Sequence, residues 1–435
     1  MRRLLAALAA LLLAAPAAAQ TTPAAPVQPD PAFTERANQL VAVLQGKAVY
    51  ADYFSTGFQA AVPKEKFDAV TAQLAANGPV ERIDRIEQIT PWSATLTVRY
   101  RDALLTMRLA VEEAPPHKVS GLLVTNVAPF KQKTLGEITT ELKGLHGATG
   151  FAFARLGEGA PELLVQHNAD KPFAVGSAFK LAILAELVRV TNAGERAWDD
   201  KIVMDGTPLP GGNYRMVPKG VGVTLRDLAT SMISISDNSA TDILLRTLGR
   251  EKVEAMLPVL GVHPDPRNRP YLLTMEMFKL KGLEGGAVGK HYLALDEKGK
   301  RAMLAGEVAA ADANGLTGLF LDGKPLMIDT LEWFYTPADL VRTMDWLRRN
   351  TEGPKGADAR AILSKNPGVP LDKAQYSWIG FKGGSEPGVL NLTLLLQGTD
   401  GHWYVATASW NDSAAGVDTQ QFVMLVSGLA RTAHP

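Results

Sequence analysis

The chain has 435 residues, too many for one ordinary hydrophobic core, so two or more domains are expected. Hydrophobic residues make up 46% and charged residues 21%, a globular balance that excludes an intrinsically disordered chain. The 45 basic and 45 acidic side chains cancel, leaving no basic excess for nucleic acid or for an anionic membrane surface.

Residues 1–19 read as a secretory signal. Arg2 and Arg3 form a positive n-region, Leu4 to Ala15 an apolar stretch, and Ala17-Ala18-Ala19 before Gln20 a small-residue cleavage site. The apolar run is too short for a comfortable span, so no membrane attachment is expected of the mature chain. There is no cysteine, hence no thiol for lipidation and no disulfide. Export without disulfides suits a bacterial periplasmic protein with a large core. Residues 20–31, rich in Pro and Ala, read as a linker.

A first α+β domain is expected over residues 32–128. It opens with a helical pattern from Phe33 to Leu44 and a second from Pro63 to Ala76. Strand-like segments follow at Val80 to Ile89, Ser93 to Tyr100, Ala103 to Val111 and Gly121 to Val127. In the second of these, Thr95, Thr97 and Arg99 alternate with Leu96, Val98 and Tyr100, the period of a half-buried strand. This order of elements resembles the cone-shaped fold of nuclear transport factor 2 and ketosteroid isomerase.

A second domain is expected over residues 136–433. Gly147 to Leu156 and Glu162 to Asn168 read as a hairpin. Ala178 to Val190 is apolar nearly all round, so it reads as a buried helix. Thr224 to Asp227 opens another helix with a capping-box variant. Lys281 to Asp329, rich in Gly, Ala and charge, reads as an inserted lid or loop. Three strands close the chain, Ser377 to Lys382, Val389 to Gln397 and Trp403 to Trp410, with a final helix from Asp418 to Arg431. Strands at both ends around a helical middle imply one sheet built from the two termini.

Three motifs carry chemistry. Ser177-Ala178-Phe179-Lys180 stands where a loop becomes the buried helix. The helix dipole and a backbone amide there favour negative charge, as a developing oxyanion requires. Lys180, three residues on, lies on the same helical face; burial favours its neutral form, which accepts the Ser177 proton. Ser236-Asp237-Asn238 supplies a second hydroxyl for proton transfer and a side-chain amide that holds the lysine and a substrate amide. Lys382-Gly383-Gly384-Ser385 follows a strand-like run; Lys382 adds positive charge, the glycines allow close approach of a substrate backbone, and the Ser385 amide is a second oxyanion donor.

In this order the three motifs resemble those of the class A β-lactamase-like serine hydrolases, within the β-lactamase and penicillin-binding protein superfamily. The resemblance implies an α+β sheet-and-helices domain that forms an acyl-enzyme on a serine. Carried onto this chain, it makes Ser177 the nucleophile, Lys180 the base, Ser236 the proton shuttle, Asn238 the substrate amide contact and Lys382 the electrostatic lysine, with Gly384 and Ser385 in the substrate site. The implied substrate is a small β-lactam or peptide-like amide, with no cofactor. A D-Ala-D-Ala peptidase, an esterase and a non-hydrolytic binder of cell-wall fragments are the alternatives. The chain departs from the family pattern twice. Gly383 stands where a Thr or Ser hydroxyl is usual, and no Glu is followed three residues later by Leu-Asn, the family's deacylating base. Glu276 lies in the corresponding region and is the substitute expected here. The seven histidines show no metal-ligand spacing, and Trp333-Phe334-Tyr335 reads as packing at a helix entry.

Overall fold

The computed structural model describes residues 27–130, 133–313, 316, 318–371 and 373–434. The expected signal segment and the linker up to residue 26 lie outside the described residues. The chain divides into two compact units after residue 132.

The first unit opens with α1, Pro31–Leu44. Asp30 caps it by accepting from the Ala32 amide at 2.8 Å, and Pro31 occupies the first turn, where no amide is needed. Phe33, Ala37 and Leu40 recur at helical spacing and are buried on one face. Three short helices follow, α2 (Tyr50–Tyr53), α3 (Thr56–Ala61) and α4 (Lys64–Leu74). The first two were not expected, because runs this short carry no readable period. Four antiparallel strands then form a meander in chain order: β1 (Val80–Thr90), β2 (Ser93–Tyr100), β3 (Ala103–Val111) and β4 (Val119–Pro129). Ala94, Leu96, Val98 and Tyr100 of β2 turn to one face, where they share a core with Phe33, Leu40 and Phe54.

The second unit begins with α5 (Leu135–Gly144), whose capping box joins Thr134 and Glu137. The hairpin β5 (Ala148–Leu156) and β6 (Glu162–His167) leads to the short strand β7 (Phe173–Ala174), a 3-10 turn over Gly176–Phe179 and the buried helix α6 (Lys180–Asn192). A small pair, β8 (Lys201–Val203) and β9 (Gly222–Thr224), precedes α7 (Leu225–Ser234), α8 (Asn238–Leu248), α9 (Arg250–Val259) and α10 (Thr274–Gly282). Next come α11 (Ala287–Leu293), α12 (Glu297–Met303), β10 (Phe334–Tyr335), α13 (Pro337–Asn350) and α14 (Ala357–Ser364). The strands β11 (Tyr376–Glu386), β12 (Val389–Gly398) and β13 (Trp403–Asn411) and the helix α15 (Thr419–Ala433) end the chain.

The main sheet has five antiparallel strands in the order β11-β12-β13-β5-β6, so strands from both ends of the unit lie side by side. Alternation along β5 divides the interior into two cores. Phe151 and Phe153 pack with Leu142 of α5 and Leu425 and Leu429 of α15, whereas Ala152 and Ala154 face the cluster of α6, α8 and α13. The segment expected as an inserted lid or loop is helical for much of residues 281–310 and irregular over the described residues from 318 to 329. Val288 and Tyr292 of α11, and Met303, Leu304 and Val308 beyond it, are buried in the main core at helical spacings that its Gly and Ala content obscured.

Candidate active site

The Ser177 turn is held by its neighbours' backbones. Phe334 and Tyr335 of β10 pair with Ala174 and Phe173 of β7, and the Val175 amide donates to the Trp333 carbonyl at 3.0 Å. Behind the turn, the Phe179 ring stacks on Trp333 with centroids 3.6 Å apart, and the Tyr271 hydroxyl donates to the Phe179 carbonyl at 2.9 Å. Ser177 itself is half-buried and caps neither the 3-10 turn nor α6, which have no side-chain cap.

Two glycines bring the strand motif against this turn. A Cβ on Gly384 would lie 2.4 Å from the Ser177 nitrogen and 2.1 Å from the Val175 carbonyl oxygen. A Cβ on Gly176, whose φ is +48°, would lie 2.9 Å from the Ser385 nitrogen. No side chain fits either position, and the Ser177 and Ser385 amides come to flank one backbone contact. That is the pairing of donors an oxyanion requires.

Lys180 is fully buried at the start of α6. Its Nζ donates to Asn238 Oδ1 at 2.7 Å, to the Ser236 carbonyl at 2.8 Å and to Ser236 Oγ at 3.2 Å. None of these acceptors is charged. Burial therefore dominates and pushes the Lys180 pKa down to about 7, against a smaller upward pull from Asp242 and Asp237. Lys382, also buried, donates to Ser236 Oγ at 3.1 Å, and burial together with the nearby Lys180 charge holds it well below the usual lysine range.

Ser236 receives both ammonium groups because its backbone is turned into the left-handed region, with φ of +60°. The conformation is fixed from the next residue. Asp237 caps α8 through the Ala240 amide at 2.8 Å and also accepts from Ser239 Oγ at 2.6 Å and the Asn213 amide at 2.5 Å. The loop anchor at Gly212 and Asn213 was missed in the sequence; a Cβ on Gly212 would strike the Asp237 carboxylate, and the Gly211-Gly212-Asn213 string was the available signal.

The structure thus brings together Ser177, Lys180, Ser236, Asn238, Lys382, Gly384 and Ser385. It does not bring Glu276 to them. Glu276 sits in the first turn of α10, where its carboxylate accepts from the Leu273 amide at 2.8 Å and from Arg250 at 2.6 Å. It lines a cavity of about 990 Å³ with Met204, Leu209, Tyr214, Arg246 and Lys279, and none of the clustered residues lines that cavity. Asp242, the carboxylate whose charge pulls hardest on Lys180, is fully buried, accepts from the Thr274 and Met275 amides at 2.7 and 3.0 Å, and is pushed up to about 6 by burial.

The model of the "Beta-lactamase enzyme family" matches residues 135–367, more than half of the chain. Beta-lactamase 1 of Streptomyces cacaoi is 34% identical over 116 residues, 24% of this chain and 36% of that protein, so the chain spans about a third of the length of this curated relative. Among solved structures, a β-lactamase from Sphaerobacter thermophilus DSM 20745 is 22% identical, with 69% of this chain and 94% of that one covered and a TM-score of 0.47. PBP-A is 18% identical, with 69% and 94% covered and a TM-score of 0.45. On the family match and the motif geometry that lies largely within it, the chain belongs to the β-lactamase enzyme family.

Proposed function

We propose that the chain is a periplasmic serine hydrolase that acylates on Ser177 and opens β-lactam amides slowly. The observation that carries this reading is Lys180: a fully buried amine, one helical turn from Ser177, held by three neutral acceptors and with its pKa near 7. A neutral amine there takes the Ser177 proton as Oγ attacks the carbonyl carbon. The oxyanion forms between the Ser177 and Ser385 amides. The C–N bond breaks as Ser236, hydrogen-bonded to both lysines, passes the proton to the leaving nitrogen. Lys382 attracts the carboxylate of a β-lactam, and Asn238 meets its side-chain amide.

Hydrolysis of the acyl-enzyme needs a base for water. Among the described residues, the carboxylates whose charge acts on Lys180 are Asp242 and Asp237, and both are committed to backbone amides. Glu276 would have to leave Arg250 to serve. The acyl-enzyme is therefore long-lived. The first unit, four helices and a four-stranded meander, is read as the cone-shaped fold of nuclear transport factor 2, placed ahead of the hydrolase.

Intact-protein mass spectrometry after mixing with penicillins and cephalosporins tests the reading. An adduct that decays marks a hydrolase. A permanent adduct marks a penicillin-binding protein. No adduct sends the search to ester or D-Ala-D-Ala substrates, or to a binder without chemistry.

A further inference from the structure

We propose that Lys281 is a positioning residue for the Ser177 turn: its ammonium ties Glu332 to Glu386 and so fixes the separation of the two backbone walls that flank the nucleophile. The proposal rests on the acylation reading given above.

Lys281 lies near the end of α10 and is wholly buried. Its Nζ donates to Glu332 Oε1 at 2.8 Å and to Glu386 Oε1 at 2.5 Å. The Glu332 and Glu386 side chains are 1% and 10% exposed, and the Phe320 ring stands 5.8 Å from the ammonium. One cation therefore serves two carboxylates that are remote in sequence and out of water.

Each carboxylate belongs to one wall of the turn. Glu332 precedes Trp333, whose carbonyl accepts from the Val175 amide at 3.0 Å and whose ring stacks on Phe179. Phe334, next again, pairs with Ala174. Glu386 ends β11, two residues after Gly384, and so shares the strand face that meets the Ser177 nitrogen. Spreading the two glutamates apart would spread Trp333 from Gly384, with the Ser177 turn between them.

The chemistry favours a geometric role. Two carboxylates and one ammonium carry a net negative charge, which burial opposes unless a carboxyl keeps its proton. Burial and the Glu332 charge push the Glu386 pKa well above the usual carboxyl range, while the two glutamates outweigh burial and keep Lys281 charged. Such a group adds little stability over apolar side chains of the same volume. What it adds is a short, directional link between α10, the approach to β10 and the end of β11.

The test uses the full chain with Lys281→Met, and with Lys281→Met/Glu332→Gln/Glu386→Gln, which removes the buried charges together should the single variant fail to fold. Two measurements are made: amide hydrogen exchange over residues 173–180 and 381–387, and the saturation kinetics of acylation by penicillin G. The expected result is faster exchange in both segments with none in the first unit, and a saturating acylation rate lowered roughly 10- to 100-fold, the cost of misplacing reacting groups by about 1 Å. The half-saturating concentration should change little. A folded variant that keeps wild-type exchange in both segments, or that acylates at the wild-type saturating rate, overturns the proposal. If the wild-type protein itself is not acylated, the reading of Ser177 fails, and the exchange comparison still decides whether Lys281 pins the turn.

Discussion

Lys180 and Lys382 converge on a single acceptor, Ser236 Oγ, at 3.2 and 3.1 Å. Two buried ammonium groups cannot both keep their charge comfortably at that spacing, and among the described residues neither is hydrogen-bonded to a carboxylate. The cluster is thereby biased to hold one neutral amine near neutral pH, which is the state a serine nucleophile needs.

Acylation should accordingly rise with pH through about 7, the value to which Lys180 is lowered. The sign follows from the reactive form: the neutral amine accepts the proton, and it accumulates above that pH. Lys180→Arg keeps the charge at any accessible pH and should lower acylation by orders of magnitude without the pH rise. A pH–rate series on both proteins checks this, and near-normal acylation of the Arg variant would move the base elsewhere. Stability should show the same sign. The unfolded chain keeps this proton up to about 10.5, so between about 7 and that value it binds more protons than the fold does, and burial of Lys180 becomes less costly as pH rises.

Ser177→Ala should abolish labelling by serine-directed acylating probes with almost no change in melting temperature. Its hydroxyl caps no helix, so the loss of about 1 kcal/mol expected for a capping serine does not apply. Equal-rate labelling of another serine in the alanine variant would refute the assignment.

Turnover of β-lactams should show a pre-steady-state burst followed by slow release. Glu276→Gln should leave the decay of the acyl-enzyme within about twofold and instead weaken the fold by about 1.5–3 kcal/mol, the usual range for a hydrogen bond to a charged group, because its carboxylate is bound to Arg250 and the Leu273 amide. Stopped-flow assays and denaturant melts on the same preparation separate the two effects. Fast turnover without a burst, or a large slowing of decay by the Gln variant, would reveal a competent base.

A chain beginning at Lys133 should be soluble and should acylate at the rate of the whole protein. The two units divide after residue 132, and the cores built around Phe33 and around Leu184 share no residue. Gel filtration and the same mass-spectrometric assay check it; an insoluble product would mean that the first unit completes the hydrolase core.

Part of the site was legible because it is local. Ser177 to Lys180 spans one helical turn, so spacing alone puts the two on one face, and Asp237-Asn238 marks a helix start, whereas the left-handed turn that aims Ser236 was not readable. The long strands were legible from alternation, as in Thr95 to Tyr100. What escaped depends on partners far apart in the chain. Lys281 finds Glu332 and Glu386 across 51 and 105 residues, and nothing in the composition of residues 281–329 distinguishes a buried lysine from a solvated one. Tyr271 and Tyr335, whose hydroxyls meet at 2.8 Å behind Phe179, escaped for the same reason. Glu276 stood at a plausible place along the chain, but a first-turn glutamate is equally a helix cap, and only the position of Arg250 separates the two uses.

The arrangement of the main sheet constrains the order in which the protein can be made. β5 lies against β13, and the Trp410 indole donates to the His146 carbonyl across 264 residues. An emerging chain must therefore carry the β5–β6 hairpin unpaired along its β5 edge until β13 exists, with the loop-closure entropy of the whole helical middle still to be lost. Since Gly384 packs against the Ser177 turn, the cluster around Ser177 stays unassembled throughout that interval. A partly synthesised chain therefore lacks the assembled site and is prone to strand-edge association, and its survival before completion depends on whatever shields β5.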